Sequence, residues 1–133
     1  MQTRPEVAPG TLAIYTDVVC AWSTITLHRL RQARADAGLD DDLAFDLRLY
    51  LLEEINGFTG RARRPTPDAR RHRDAVQGSP HLFLADGSDV HHPDADFRWA
   101  GGEEGKGFPV VTRNEPEACA EVVRRAAAAT AAV

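Results

Sequence analysis

The clearest pattern in the chain is an alternation of apolar and other residues between positions 43 and 51. Leucine or phenylalanine fills every second position, with Ala44, Asp46, Arg48 and Tyr50 in between. A period of two predicts a β-strand with one buried face. Earlier in the chain, residues 12–15 are short, apolar and partly β-branched or aromatic, which predicts a buried strand.

A helical period separates these two predicted strands. Five apolar residues of segment 21–37 recur at spacings of three to five and predict one apolar helix face: Trp22, Ile25, Leu30, Ala33 and Ala37. Gly38 follows as a helix stop. A strand, a helix and a second strand in this order predict a βαβ unit with parallel strands and a right-handed crossover.

The second half of the chain predicts a helix, a hairpin and a final helix. Thr66 as N-cap and Pro67 at the first helical position start a helix that runs to Val76. Apolar residues on both sides of Asp86-Gly87 predict a β-hairpin. The Gly- and Pro-rich segment 93–109 is expected to be irregular, and segment 116–132 to be helical.

The predicted order is therefore β-α-β-α-β-β-α. It indicates a mixed sheet with helices on both faces, in a single α/β domain that covers residues 1–133. Residues 1–10 contain two prolines and a glycine and are expected to be a loose lead-in.

Length, charge and hydropathy narrow the function classes. The 133 residues fit one domain. Sixteen basic and 20 acidic residues give a net charge of −4, which argues against nucleic-acid binding driven by net charge. No apolar run approaches the ~20 residues of a membrane span, and the N-terminus has no signal-peptide core. We therefore expect a cytoplasmic protein with neither a membrane nor a nucleic acid as partner.

The main candidate for chemistry is Cys20, at the junction of the first strand and the first helix. A thiol at a helix N-terminus faces unpaired N–H groups and the positive end of the helix dipole, and both favour the nucleophilic thiolate. Ser23 follows almost one turn later, so its hydroxyl is expected to bond to the same sulfur. Cys119, in the last helix, could act as a distant resolving thiol only if that helix end reaches Cys20; we expect the two to be well separated and Cys119 to have a structural role.

Three further features bear on binding. Pro80 heads the predicted hairpin, and a cis bond after Ser79 would turn the Ser79 backbone towards a ligand. No metal site is predicted, because adjacent His91 and His92 on a strand would point to opposite faces. The arginine-rich stretch 61–73 is expected to be a solvated surface.

Several of these segments together resemble one protein family. The run Tyr15-Thr16-Asp17-Val18-Val19-Cys20-Ala21-Trp22-Ser23 resembles the active-site junction of the thioredoxin-fold DsbA family, in particular its FrnE-like branch. The run Gly78-Ser79-Pro80-His81-Leu82-Phe83-Leu84-Ala85-Asp86-Gly87 resembles the cis-proline loop and hairpin of that family. His92-Pro93, Trp99 and residues 107–111 resemble its C-terminal segment, so the resemblance spans roughly residues 12–125.

The resemblance implies a thioredoxin-like fold and dithiol–disulfide exchange. Cys20 would be the attacking thiol, Ser79 and Pro80 would hold the sulfur-bearing segment of the substrate, and Trp22 would form part of the substrate-binding wall. The substrate would be a thiol or disulfide, carried by a protein or by glutathione.

Two departures from the family change this expectation. Ser23 stands where the family has its second cysteine, and Ala21 stands in the place of a proline. Residues 52–78 form a shortened connection where the family inserts a helical domain. We therefore expect a monothiol oxidoreductase that needs no cofactor but uses glutathione or another external thiol as co-substrate. Apolar surface left by the missing insertion would favour a homodimer.

Two other interpretations remain open at this stage. One is a non-catalytic thioredoxin-like module for binding or dimerisation, which the missing second cysteine favours. The other is a glutathione-dependent isomerase or transferase in which Cys20 or Ser23 activates glutathione.

Overall fold

A computed structural model describes residues 4–17, 20–49, 76–103 and 105–129 of the chain. Within these ranges there are six strands and two helices, in the following order: β1 (Thr11–Thr16), α1 (Ala21–Asp36), β2 (Ala44–Leu49), β3 (His81–Leu84), β4 (Asp89–His91), β5 (Ala95–Trp99), β6 (Pro109–Asn114) and α2 (Ala118–Ala128). No helix in the described ranges combines the length and the apolar character that a membrane crossing needs.

Four of the strands form a mixed sheet in the order β2-β1-β3-β4. β1 and β2 are parallel, with Ile14 opposite Leu47, while β3 runs antiparallel to β1, with Leu82 opposite Ile14. β3 and β4 form a hairpin whose turn includes Gly87 at φ +98°, a conformation that glycine adopts without steric cost. The predicted mixed α/β sheet, its βαβ unit and its hairpin are confirmed.

Both described helices pack on one face of this sheet. The core there joins alternate residues of β1 and β3 to Leu30 of α1 and to the apolar face of α2, and its fully or almost fully buried members are Leu12, Ile14, Leu30, Leu43, Leu82, Leu84, Cys119, Val122, Val123 and Ala126. Alternation along β1 and β3 explains the strand members of this set, since every second side chain points to the same face.

The opposite face carries a smaller cluster. Ala13, Tyr15, Val76 and Phe83 are buried there, with Val7 of the N-terminal segment packed against them. The rings of Tyr15 and Phe83 meet edge to face with centroids 5.6 Å apart. The predicted helix from Thr66 lies outside the described residues except for Val76, as does most of the shortened connection 52–78.

Two predictions about buried faces are wrong in part. In the alternation from residue 43, Leu43 is buried and Phe45 packs against the core, but β2 is an edge strand and Leu47 and Leu49 are 46% and 52% exposed. In α1 the buried residues are Ser23, Thr26 and Leu30, whereas Ile25, which the sequence places on the apolar face, is 39% exposed. Polar partners on distant segments, described below, determine the orientation of this helix.

The prediction that residues 93–109 are irregular is wrong for the part that forms β5, residues 95–99. β5 and the start of β6 lie in this segment and form a separate two-stranded antiparallel sheet, with Phe97 opposite Val111. Phe97 and Trp99 alternate with Asp96 and Arg98, so the sequence did contain a period-two signal. The neighbouring glycines and prolines obscured it.

Candidate active site

Cys20 is the N-cap residue of α1. Its backbone is extended, with φ −86° and ψ 109°, and its carbonyl accepts the first helical bond from the Thr24 N–H at 3.2 Å. The Cys20 N–H is itself turned back to the Asp17 carbonyl at 3.1 Å. The thiol therefore lies at the positive end of the helix, as predicted, and the residue is 9% exposed.

The segment that contains Ser79 and Pro80 lies directly opposite this thiol. The Ser79–Pro80 peptide bond is cis. The Cys20 thiol donates to the Ser79 carbonyl oxygen, with 3.4 Å between Sγ and O. The Ser79 hydroxyl oxygen accepts the Asp17 N–H at 2.9 Å, so this segment is tied to the end of β1 as well as to the helix.

Ser23 is buried one turn along the same helix, with 1% of its surface exposed. Its hydroxyl forms a hydrogen bond with the Ser79 hydroxyl. The sequence predicted a bond from Ser23 to the Cys20 sulfur. In the structure the two residues instead meet at Ser79, the thiol at its carbonyl and the Ser23 hydroxyl at its side chain.

Trp22, at the start of α1, is half-buried and stacks on Phe97 of β5. Their ring centroids are 4.7 Å apart and their planes differ by 10°. Phe97 also meets His92 and Trp99 edge to face, at 6.4 and 6.3 Å between centroids. The small β5–β6 sheet thus supplies an aromatic wall beside Trp22, and Phe97 is a residue of this region that the sequence analysis did not single out.

His81 and His91 lie next to Gln77 and Gly78, the residues that precede Ser79. The His81 Nδ1 accepts the Gln77 N–H at 3.0 Å, and its Nε2 lies 2.6 Å from an Asp89 carboxylate oxygen. These partners assign the proton to Nε2, because Nδ1 must act as an acceptor. Burial is the main cause that lowers the pKa of His81, against the opposing effect of Asp89.

His91 faces His81 across the β3–β4 hairpin. Its Nε2 is buried without a hydrogen-bond partner among the described residues, and a methyl group on Gly78 would lie 2.8 Å from it. Burial, followed by the neighbouring His92 and His81, lowers the pKa of His91 to about 4. The imidazole is therefore neutral at pH 7 and packs against the backbone of Gly78.

Cys119 lies in a different environment from Cys20. It is fully buried in the core between the sheet and the helices, and burial raises the pKa of its thiol to about 12. Cys119 also lies in the first turn of a helix, α2, so what distinguishes Cys20 is the bond from its thiol to the Ser79 carbonyl.

Two sequence motifs remain, the histidine pair considered for a metal site and the arginine-rich stretch. Among the described residues, no group of three or more His, Cys, Asp or Glu is arranged to hold a metal ion. The arginine-rich stretch 61–73 lies outside the described residues. Comparison of the chain with models of known protein families, with curated proteins and with solved structures gives no match.

Proposed function

We propose that the chain is a thioredoxin-like thiol–disulfide oxidoreductase of the DsbA type that works through the single thiol of Cys20. Support for the fold comes from the connectivity: a parallel βαβ unit is followed by an antiparallel hairpin on the same sheet. This is the arrangement that the resemblance to the DsbA family leads one to expect.

The function is carried by one observation, the contact between the Cys20 thiol and the Ser79 carbonyl. A nucleophile at a helix N-terminus faces a backbone carbonyl beside a cis-proline, so a sulfur-bearing polypeptide segment that pairs with Ser79 would be brought to the thiol. In this proposal Ser23 holds the Ser79 side chain, and Trp22 forms the wall against which the rest of the substrate lies.

The exchange needs two steps because Ser23 cannot act as a second thiol. The Cys20 thiolate attacks one sulfur of a substrate disulfide, the substrate S–S bond breaks, and its other sulfur leaves as a thiolate. An external thiolate such as glutathione then attacks the mixed disulfide at the substrate sulfur and releases Cys20. One disulfide is consumed and one is formed, so no further oxidant or cofactor is required.

The test is the formation of a mixed disulfide with oxidised glutathione, followed by intact-protein mass spectrometry. We expect one glutathione adduct on the full chain, its loss in Cys20→Ser, and its retention in Cys119→Ala. Added reduced glutathione should remove the adduct. A chain that acquires no adduct while it remains folded would contradict the proposal.

A second candidate, a non-catalytic binding module, is favoured by two observations. Cys20 is only 9% exposed, and the hydroxyls of Ser23 and Ser79 satisfy each other. In that case Cys20 is a packed N-cap residue, and neither oxidised glutathione nor a small alkylating reagent should modify it faster than it modifies Cys119.

A further inference from the structure

Three residues between β4 and β5 connect the Ser79–Pro80 segment to helix α1. We call His92, Pro93 and Asp94 the bracket. At its first residue the His92 N–H donates to the Pro80 carbonyl at 3.3 Å. At its last residue the Asp94 carboxylate, 1% exposed, accepts Thr26 Oγ1 at 2.7 Å and Arg29 Nη1 at 2.8 Å.

The backbone of the bracket is held along its whole length. Arg113 donates from Nη2 to the His92 carbonyl at 2.8 Å and from Nη1 to the Pro93 carbonyl at 3.0 Å, and the Glu115 N–H donates to the Asp94 carbonyl at 2.7 Å. His92 has φ +48°, in the left-handed region, which costs a non-glycine residue about 1 kcal/mol. Such a conformation persists where the surrounding bonds determine it. The bracket is therefore a rigid link.

One face of helix α1 bonds both to Ser79 and to the bracket. Ser23 and Thr26 are three residues apart, so their side chains lie on the same side of the helix, one turn from each other. Ser23 bonds to Ser79, and Thr26 bonds to Asp94. The hydrogen bonds thus close a ring that runs from α1 through Ser79 and Pro80 to the bracket and back to α1.

We propose that Asp94 is a positioning residue for the exchange reaction. It does not touch the thiol. Through the bracket it holds α1 and the Ser79–Pro80 segment in register, so that the Ser79 carbonyl stays opposite the Cys20 sulfur. This inference rests on the proposed function. It also explains why a buried carboxylate forms one member of the ring, where an Arg29 guanidinium and the Thr26 hydroxyl both bond to it.

A comparison of two reagents distinguishes a positioning role of Asp94 from a general effect on the folded structure. Disulfide exchange requires the attacking and leaving sulfurs to be aligned, whereas alkylation by iodoacetamide requires mainly access to the thiol. Ångström-scale displacement of a reacting group lowers rates by an order of magnitude or more. Loss of the Asp94 carboxylate should therefore slow exchange much more than alkylation.

The experiment measures both rates at Cys20 in the full chain, for wild type, Asp94→Ala, Asp94→Asn and the control Asp36→Asn. Asp36 is an exposed carboxylate in the last turn of α1, where it accepts a hydrogen bond from Gln32. Urea titration verifies that each protein is folded under the assay conditions. We expect Asp94→Ala to slow exchange with oxidised glutathione at least about tenfold and alkylation less than about threefold. Asp94→Asn should be intermediate, because its amide oxygen still accepts from Thr26, and Asp36→Asn should match wild type.

The outcomes separate this proposal from the function on which it rests. If wild type forms no mixed disulfide, both fail. If wild type reacts and folded Asp94→Ala reacts equally fast, or if exchange and alkylation fall by the same factor, only the positioning role is overturned.

If Asp94→Ala does not fold, Thr26→Val removes the hydroxyl donor from the same ring with little change in shape. It should show the same selective loss of exchange, and a Thr26→Val protein with wild-type rates would overturn the proposal.

Discussion

Trp22 and Phe97 stack face to face, 4.7 Å between ring centroids, and this contact joins the start of helix α1 to the separate β5–β6 sheet. Phe97→Ala removes the stack, and we expect the free energy of unfolding to fall by about 2 kcal/mol, less than for a fully buried phenylalanine. Urea denaturation followed by circular dichroism measures the change.

Phe108→Ala is the matched control for this substitution. Phe108 lies just before β6 and is 66% exposed, so its truncation should change the free energy of unfolding by less than about 0.5 kcal/mol. Equal effects of the two substitutions would show that the Trp22–Phe97 stack does not stabilise the fold.

The orientation of α1 shows where the sequence was sufficient and where it was not. Apolar spacing located the helix and placed Cys20 at its start. It placed Ile25 and Leu30 on one apolar face, yet the buried residues are Ser23, Thr26 and Leu30. Hydropathy cannot rank a buried serine above an exposed isoleucine, since the burial of a hydroxyl depends on a partner. Here the partners, Ser79 and Asp94, come from segments far along the chain.

The sheet shows a similar division. The apolar run of β1, the alternation of β2 and the Asp86-Gly87 turn predicted four strands and their connections from local signals. Local alternation in β2 could not show that this strand lies at the edge of the sheet. The position of a strand within a sheet is decided by pairing with distant residues, which no local window contains.

The two cysteines should differ strongly in reactivity. Cys119 is fully buried, and its pKa is raised to about 12 by burial, so at pH 8 iodoacetamide should leave it unmodified in the folded protein and label it in urea. Cys20 should be the residue labelled under native conditions. Peptide mapping by mass spectrometry identifies the site. Labelling of Cys119 at the rate of Cys20 in the folded chain would contradict this assignment.

Gly78 is expected to tolerate no side chain because of His91. An alanine Cβ there would lie 2.8 Å from the His91 Nε2, closer than van der Waals contact allows. We expect Gly78→Ala to lower the free energy of unfolding by about 1–3 kcal/mol, the usual cost of overpacking. The effect should shrink when His91→Ala is present as well, which a double-mutant cycle in urea denaturation measures. Additive effects of the two substitutions would place the cause of the loss elsewhere.

His91 should also make the fold sensitive to acid. Its pKa is lowered to about 4 in the folded chain, mainly by burial, against a value near 6.5 in an unfolded chain. Between these values the unfolded chain binds the proton more readily, so the free energy of unfolding is highest above pH 6.5 and falls as the pH is lowered towards 4. At 1.36 kcal/mol per pH unit the loss attributable to His91 approaches about 3 kcal/mol. Urea denaturation between pH 7.5 and 4.5 measures this loss.

His91→Gln is the control, because glutamine cannot titrate and should flatten the profile. His81 and His92, whose pKa values burial also lowers, leave a residual slope in the same direction. A wild-type profile as flat as that of His91→Gln would show that the His91 imidazole does not titrate as this geometry requires.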